Sequence, residues 1–583
     1  MKIAKYLQKI SKTIFILGII VLIAFMVRVF KLSDSPARLT HDEMSLGYNA
    51  YSILKTNKDE WGKIFPLTFE AFGDHKLPGY IYATIPFVAL LGLNVFSLKL
   101  PSIIAGLIIV IFTYLIALKI SKNKTISLLS ALIVTLSPWP IHLSRMALES
   151  NLGLAFFSIG LWGTLKSFEK PTKKLFYFYP IITGLFLSLA CYTYVAFRLF
   201  IILFLVALFF ISLIYKKNLK QFFIICFVFV LTLLPLAPQI LGKSGSARFS
   251  QISIFVDPGI EAKITEQRNF CFLQERKVLP KLCKILYNKP YYLTEQLAKN
   301  YLSFLLPSFL FLEGDNLKYL NDPNFGEFYL ILIPFYLMGI YSIFKNKNIH
   351  SKIFLSTFFL APIASALAGE PQIVRGSVLL IFVSIFIGQG IWLFLNFFEN
   401  KNLKKLISFI LGSIIIFSFI NYFISYLYIY PAQFGHYFYP LDQRILEIIK
   451  TQESDFETIY FNSSHFPDAH ILLAFYQKID PAYYQANVAR PAPDKFGFSH
   501  PSQLNKYRFG DLSFYEALCS KNNKVFYITK PFDISVAWKF ETNVIQIKDF
   551  SNVHTQVELY DLNYIKENLT KLNLLDSTCS KYR

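Results

Sequence analysis

The chain has 583 residues, of which 54% are hydrophobic and only 16% charged, where an ordinary soluble domain carries about 25% charged residues. With a mean hydropathy of +0.44, that composition excludes a soluble enzyme and a disordered chain and indicates a polytopic membrane protein. The 58 Lys+Arg against 37 Asp+Glu leave a net charge of +21, which in a membrane protein marks cytoplasmic loops rather than a nucleic-acid surface.

A membrane-spanning helix takes about 20 apolar residues. The first such run covers 14–30, and Lys2, Lys5, Lys9 and Lys12 before it predict a cytoplasmic N-terminus and an uncleaved anchor. Further runs cover 101–118, 126–143, 151–168, 175–192, 197–215, 221–241, 328–344, 353–369, 376–397 and 405–430. Two shorter runs, 79–93 and 301–312, are decided by the lysines. Clusters at Lys119/Lys122/Lys124, Lys166/Lys170/Lys173/Lys174, Lys216/Lys217/Lys220, Lys345/Lys347/Lys352 and Lys401/Lys404/Lys405 all share the cytoplasmic side only if neither short run crosses. The short runs then lie along the membrane, giving a polytopic α-helical protein of about eleven transmembrane helices. The alternative is thirteen.

This reading divides the chain into a transmembrane domain, 1–430, with outer loops 31–100 and 242–327, and a soluble extracytoplasmic domain, 431–583. Strand-like stretches at 458–461, 525–529 and 556–559 and helical stretches at 442–451 and 514–520 make the latter a small α/β domain. Cys271 and Cys283 fall in the large outer loop and Cys519 and Cys579 in the C-terminal domain. They form either two disulfides or four free thiols, since pairing is not legible in a sequence.

With so few charges in the spans, the first outer loop stands out: His41-Asp42-Glu43, Asp59-Glu60, Glu70 and Asp74-His75-Lys76. An aspartate at the membrane surface can accept a proton from an incoming hydroxyl, and Lys76, at headgroup height, can meet a lipid phosphate. Arg145 and Arg375 are further cations for such a phosphate, and Glu149, four residues after Arg145, can share a helix face with it. The same charges read equally as a solvated loop, an interfacial anchor and a structural ion pair. His41 with Asp42 and Glu43, and Asp74 with His75, leave a divalent metal open, although no zinc-type spacing is present. No phosphate-binding Gly-rich loop or nucleotide fingerprint occurs.

The stretch His41-Asp42-Glu43-Met44-Ser45-Leu46-Gly47-Tyr48-Asn49-Ala50-Tyr51-Ser52 resembles the first-loop signature of glycosyltransferase family 39, the family of protein O-mannosyltransferases and aminoarabinose transferases within the GT-C superfamily. Phe72-Gly73-Asp74-His75-Lys76-Leu77-Pro78-Gly79-Tyr80 resembles its Lys-Pro-Pro-Leu-Tyr stretch, Leu98-Lys99-Leu100-Pro101-Ser102 its Arg-Leu-Pro-Ser, and Ser144-Arg145-Met146-Ala147-Leu148-Glu149 its Ser-Arg-x-x-x-Glu. Leu77 departs from the family's proline and Lys99 from its arginine. The resemblance implies a GT-C-like fold and an enzyme of the cell (plasma) membrane. Such an enzyme moves a sugar from a polyprenyl-phosphate donor to an acceptor lipid, glycan or protein on the outer face, without nucleic acid. It maps the catalytic pair onto Asp42 and Glu43 and donor-phosphate binding onto Lys76, with Arg145 and Arg375 added. Substrate contacts fall to His41, Tyr48, Asp74, His75 and Glu149. Rival readings are a flippase or transporter of lipid-linked sugars, which would place ionisable groups in mid-span, and a polysaccharide polymerase or ligase.

Overall fold

In a computed structural model of the chain, residues 2–35, 39–71, 74–169, 175–216, 218–242, 255, 259–273, 280–346, 348–435, 443–464, 466, 468–492, 499–520, 524–531, 544–548 and 555–580 are described. Lys170, Lys173, Lys174, Lys217 and Lys347 of the basic clusters lie outside them. The chain divides into two compact units, one of residues 1–30 and 102–423 and one of residues 31–101 and 424–583. The loop 31–100, grouped with the membrane domain on sequence, thus folds with the C-terminal region.

The first unit is helical. All eleven apolar runs fall on helices, beginning with α1 (Lys2–Val29), α4 (Val95–Ser121), α5 (Lys124–Leu136), α6 (Pro138–Arg145) and α7 (Glu149–Ser167). Among the described residues eight helices are long and apolar enough to cross a membrane, or nine if the pair α5–α6, bent by 56°, is one span. The two runs that fall short do so for different reasons. Run 328–344 packs into a 13-residue helix, Ile333–Lys345, whereas α7 is long enough but carries Ser150, Asn151 and Ser158 on its buried side. The bend after α5 follows from Ser137-Pro138, since a residue before proline is pushed out of the helical region; Ser137 is extended at φ −77°, ψ 152°.

Helices Ile333–Lys345 and Leu379–Asn396 approach so closely that a Cβ on Gly339 would sit 1.8 Å from the Phe386 carbonyl oxygen, and one on Gly390 equally close to that of Phe335. Small residues at such crossings let backbones meet where apolar side chains gain nothing over lipid.

The second unit holds the first loop and the C-terminal region. From the loop come α2 (His41–Thr56), the antiparallel pair β1 (Phe69–Ala71) and β2 (Asp74–Lys76), and α3 (Pro78–Leu91), whose 14 residues fall short of a span. The other short run, in the first unit, divides between the end of helix Lys289–Ser303 and a single wide turn, Ser308–Leu312.

The C-terminal region is an α/β domain, as its patterning indicates. Its sheet contains β3 (Thr458–Asn462), β4 (Gln503–Leu504), β5 (Tyr507–Gly510), β6 (Val525–Thr529), β7 (Ile545–Lys548) and β8 (Thr555–Asp561), in the order β4-β5-β3-β6-β8-β7. Strand β3 pairs in parallel with β5 on one side and β6 on the other, and the remaining pairings, β4–β5, β6–β8 and β7–β8, are antiparallel. Every residue of β6 is buried; Phe514, Leu518, Tyr560 and Leu562 pack with its Val525 and Tyr527. Both cysteine pairs are closed, Cys271–Cys283 and Cys519–Cys579.

Candidate functional site

Helix α2 starts at a capping box. The Glu43 amide donates to Thr40 Oγ1 at 3.2 Å, and Glu43 Oε2 accepts from the Thr40 amide at 3.0 Å. Such a cap contributes about 1 kcal/mol and fixes where the helix begins. Glu43 is therefore buried and engaged with Thr40. Asp42, one residue earlier on the first turn, keeps its side chain 57% exposed, in the favourable field of the helix N-terminus.

The partner of Asp42 comes from the hairpin. The register Phe69↔Lys76, Glu70↔His75 and Ala71↔Asp74, with side chains alternating along a strand, turns Lys76 and His75 to opposite faces. Lys76 is only 6% exposed, and its ammonium pairs with the Asp42 carboxylate. His75 is half-buried. The Asp74 side chain lies outside the described residues.

His41 stands between two carboxylates. Its Nε2 is 3.7 Å from Asp42 Oδ1 and its Nδ1 is 3.7 Å from Asp468 Oδ2. Asp468 opens the helix Ala469–Tyr476, just beyond β3. Burial raises its carboxyl above the usual range and the nearby Asp42 adds to that, while His41, His500 and Lys76 oppose it. Two residues on, His470 is fully enclosed, and burial lowers it to about 3, so its ring is neutral. Tyr48 donates its hydroxyl to the Ile479 carbonyl at 3.1 Å and sets its ring edge-on to Tyr484, 5.3 Å away. Burial raises that phenol well above its usual value.

Behind these residues α2 is braced by polar contacts. Gln485 Nε2 donates to Ser52 Oγ at 3.1 Å, Thr56 Oγ1 at 3.1 Å and the Asp59 carbonyl at 2.8 Å. Glu60 is bonded to Asn49, and burial pushes its carboxyl up to about 7.

The remaining expected residues belong to the other unit. Arg145 is completely buried and its Nη1 donates to the carbonyls of Val27, Arg28 and Phe30 at 2.9, 3.2 and 2.8 Å, around the end of α1. This satisfies acceptors that a helix leaves open at its C-terminus and suits the sign of its dipole. Glu149 does not share a continuous helix face with Arg145: α6 ends at Arg145, Met146 is extended, and Glu149 begins α7. Arg375 is half-buried and donates to the Ala368 carbonyl at 2.7 Å. Near it in the chain fold, the buried Asp315 accepts from the Ile373 and Leu317 amides at 2.7 and 2.8 Å. Burial lifts its carboxyl to about 6. Gly314, at φ 68°, makes the turn that precedes it.

Thus Asp42, Lys76, His41 and Tyr48 come together in one unit, and Arg145, Glu149 and Arg375 lie in the other. Asp468, His470, His500 and Gln485 have no counterpart in the sequence reading. Thr40-x-x-Glu43, by contrast, is a capping-box signature legible in the sequence. Among the described residues no three His, Cys, Asp or Glu side chains are grouped to hold a metal ion. The Lys76 ammonium on Asp42 also opposes a second cation at that carboxylate.

Residues 18–241 match the family described as Dolichyl-phosphate-mannose-protein mannosyltransferase. The resemblance to glycosyltransferase family 39 read from the motifs is borne out over that region. No curated protein matches the chain. Among solved structures, the oligosaccharyltransferase AglB of Archaeoglobus fulgidus, in complex with an inhibitory peptide and a dolichol-phosphate, has a TM-score of 0.52 at 14% identity, covering 92% of this chain and 70% of that one. The apo form of the Archaeoglobus fulgidus enzyme has a TM-score of 0.52 at 13% identity, over 91% of this chain and 70% of that one. ArnT from Cupriavidus metallidurans, bound to undecaprenyl phosphate, has a TM-score of 0.49 at 9% identity, over 94% and 98%. The likeness to the archaeal enzyme is one of fold, and it is the GT-C-like fold that the motifs imply.

Proposed function

We propose that this protein is a membrane glycosyltransferase that moves a sugar from a polyprenyl-phosphate carrier to an acceptor, with Asp42 as general base. The observation that carries this is the ion pair between Asp42 and Lys76, two residues of separate family-39-like motifs within the matched region. Asp42 is open enough to meet an acceptor hydroxyl, while Lys76, nearly buried, holds it in place and supplies a fixed positive charge.

The acceptor O–H bond breaks as its proton passes to Asp42, and the oxygen attacks C1 of the sugar. The C1–O bond to phosphate breaks and its electron pair stays on the departing lipid phosphate. A preplaced cation favours that charge as it develops, and this is the role of Lys76. Glu43 fixes the start of α2 and with it the position of Asp42. In the other unit, Arg145 secures the end of α1.

The reaction belongs on the outer face of the cell membrane. The lysine clusters favour a cytoplasmic N-terminus, and disulfides persist in oxidising compartments, which supports an outer location for loop 242–327 and the C-terminal region. A cysteine introduced at position 122 should resist labelling from outside; its labelling would reverse this orientation. The activity is tested in vesicles holding the purified protein and a labelled polyprenyl-phosphate sugar. Transfer should fall to background in Asp42→Asn, and undiminished transfer removes the general-base assignment.

A further inference from the structure

We propose that Asp468 of the C-terminal region is a positioning residue of the transferase site, holding His41 against Asp42. This inference rests on the reading of Asp42 as the base.

Asp468 occupies the N-cap position of helix Ala469–Tyr476, where an aspartate ordinarily accepts from the amide of the second or third helical residue. Its side chain makes no such bond. The carboxylate, in a residue 5% exposed, is instead directed at His41 Nδ1, 3.7 Å away, and His41 Nε2 is as far from Asp42. Separations of that size are bridged by a water or by a small closure of the site. A buried acceptor on one side of an imidazole selects the tautomer with the proton on that side. With Nδ1–H toward Asp468, Nε2 offers its lone pair to Asp42.

The consequence is an exit for the proton. After Asp42 has taken the acceptor's proton, that proton moves from Asp42 Oδ1 to His41 Nε2. One O–H bond breaks, one N–H bond forms, and Asp42 returns to the carboxylate. The imidazolium so formed lies between Asp468 and the restored Asp42. The other ionisable neighbours are Lys76 from the hairpin and His500 and His470 from the C-terminal region.

The placement within the sheet points the same way. Asp468 follows the carboxyl end of β3, and the two parallel neighbours of β3, β5 and β6, lie on opposite sides of it. In open α/β sheets ligands bind beyond the carboxyl ends of strands where the connections diverge like this. Here that end of the sheet faces the first-loop helix: Phe475, of the helix that Asp468 opens, packs against Gly47 of α2.

The test uses the full-length protein in vesicles with the labelled polyprenyl-phosphate sugar, and follows kcat, KM and thermal unfolding for Asp42→Asn, Asp468→Asn and Asp468→Glu. Asp468→Asn should lower kcat by about 10- to 100-fold, the scale of supporting groups in proton transfer, with KM for the donor and Tm unchanged. Asp468→Glu should recover part of kcat. Wild-type kcat in Asp468→Asn beside an inactive Asp42→Asn overturns the inference and leaves the transferase reading standing. A loss accompanied by an equal fall in Tm and not relieved by glutamate also overturns it, as a purely structural role. Undiminished activity in Asp42→Asn removes the assignment of Asp42 as the base, and the inference with it. If Asp468→Asn does not fold, His41→Gln decides: the same kcat loss supports the relay, and a wild-type kcat overturns it.

Discussion

Asn49 and Glu60 exchange a pair of hydrogen bonds, the Asn49 amide group donating to Glu60 Oε1 at 2.9 Å and the Glu60 backbone N–H returning to Asn49 Oδ1 at 3.0 Å. The clasp locks the middle of α2 to the turn that follows the helix. It does so around a carboxyl that burial pushes from 4.5 up to about 7. Between those values the folded protein binds a proton that the unfolded chain has released. The stabilisation is therefore full below about pH 4.5 and is lost as pH rises through about 7, a change on the order of 3 kcal/mol at most. Thermal unfolding of the wild type should show Tm falling from pH 5 to pH 8, and Glu60→Gln should flatten that slope. An unchanged slope in the variant would assign the effect to other groups.

The guanidinium of Arg490 stacks over the Trp61 ring, 4.3 Å from its centre, and donates to the Glu60 carbonyl at 2.8 Å. Loss of a desolvated stack and a charge-assisted bond costs about 2 kcal/mol. Arg490→Ala should lower the unfolding temperature of the protein in detergent. Arg490→Lys should rescue little, because a lysine cannot stack as a plane.

Lys76→Met removes the ammonium that the hairpin pairs with the Asp42 carboxylate. Removing one stabiliser of a developing charge typically costs about 100-fold. Transfer measured as kcat/KM should fall on that scale, with Lys76→Arg intermediate. A Met variant with wild-type kcat/KM would take Lys76 out of the mechanism.

Gly390→Ala places a methyl where the Phe335 carbonyl oxygen already is. The helices Ile333–Lys345 and Leu379–Asn396 must separate, at a cost of about 1–3 kcal/mol. The prediction is a lower Tm and lower yield in detergent. Gly412→Ala, where among the described residues nothing beyond the helix's own backbone lies within 4 Å of the added atom, is the control that should lower neither.

The Cys519–Cys579 bridge joins residues 60 apart. Closing a loop of that length is worth about 4 kcal/mol in the chain-entropy account. The Cys519→Ser, Cys579→Ser double variant should lose comparable stability under denaturant, whereas an equal Cm with and without reductant in the wild type would show that the bridge contributes nothing.

Local features of this molecule were legible and distant ones were not. The apolar runs announced their helices because a span is specified by its own composition, and β6 announced itself because Val525 to Thr529 is buried along its whole length. Asp42 and Lys76 stood out as charges in an apolar chain. Asp468 did not, because a buried aspartate before a helix looks like any other N-cap until the side chain is seen to turn elsewhere. The supposed shared face of Arg145 and Glu149 failed because it assumed one helix where the backbone breaks at Met146. Glu43 shows how a strong local signal is passed over: its Thr40 partner lies three residues away, but its place beside Asp42 suggested chemistry first.

The compact unit that contains His41 also contains residues 424–583, and this bears on how the protein is dissected. A truncation after residue 423 would strip Asp468 from His41, Ile479 and Tyr484 from Tyr48, and Gln485 from Ser52. Chimeras that exchange the first loop between relatives face the same bond. The two segments would have to be transplanted together, as a matched pair, for the recipient to inherit a working site.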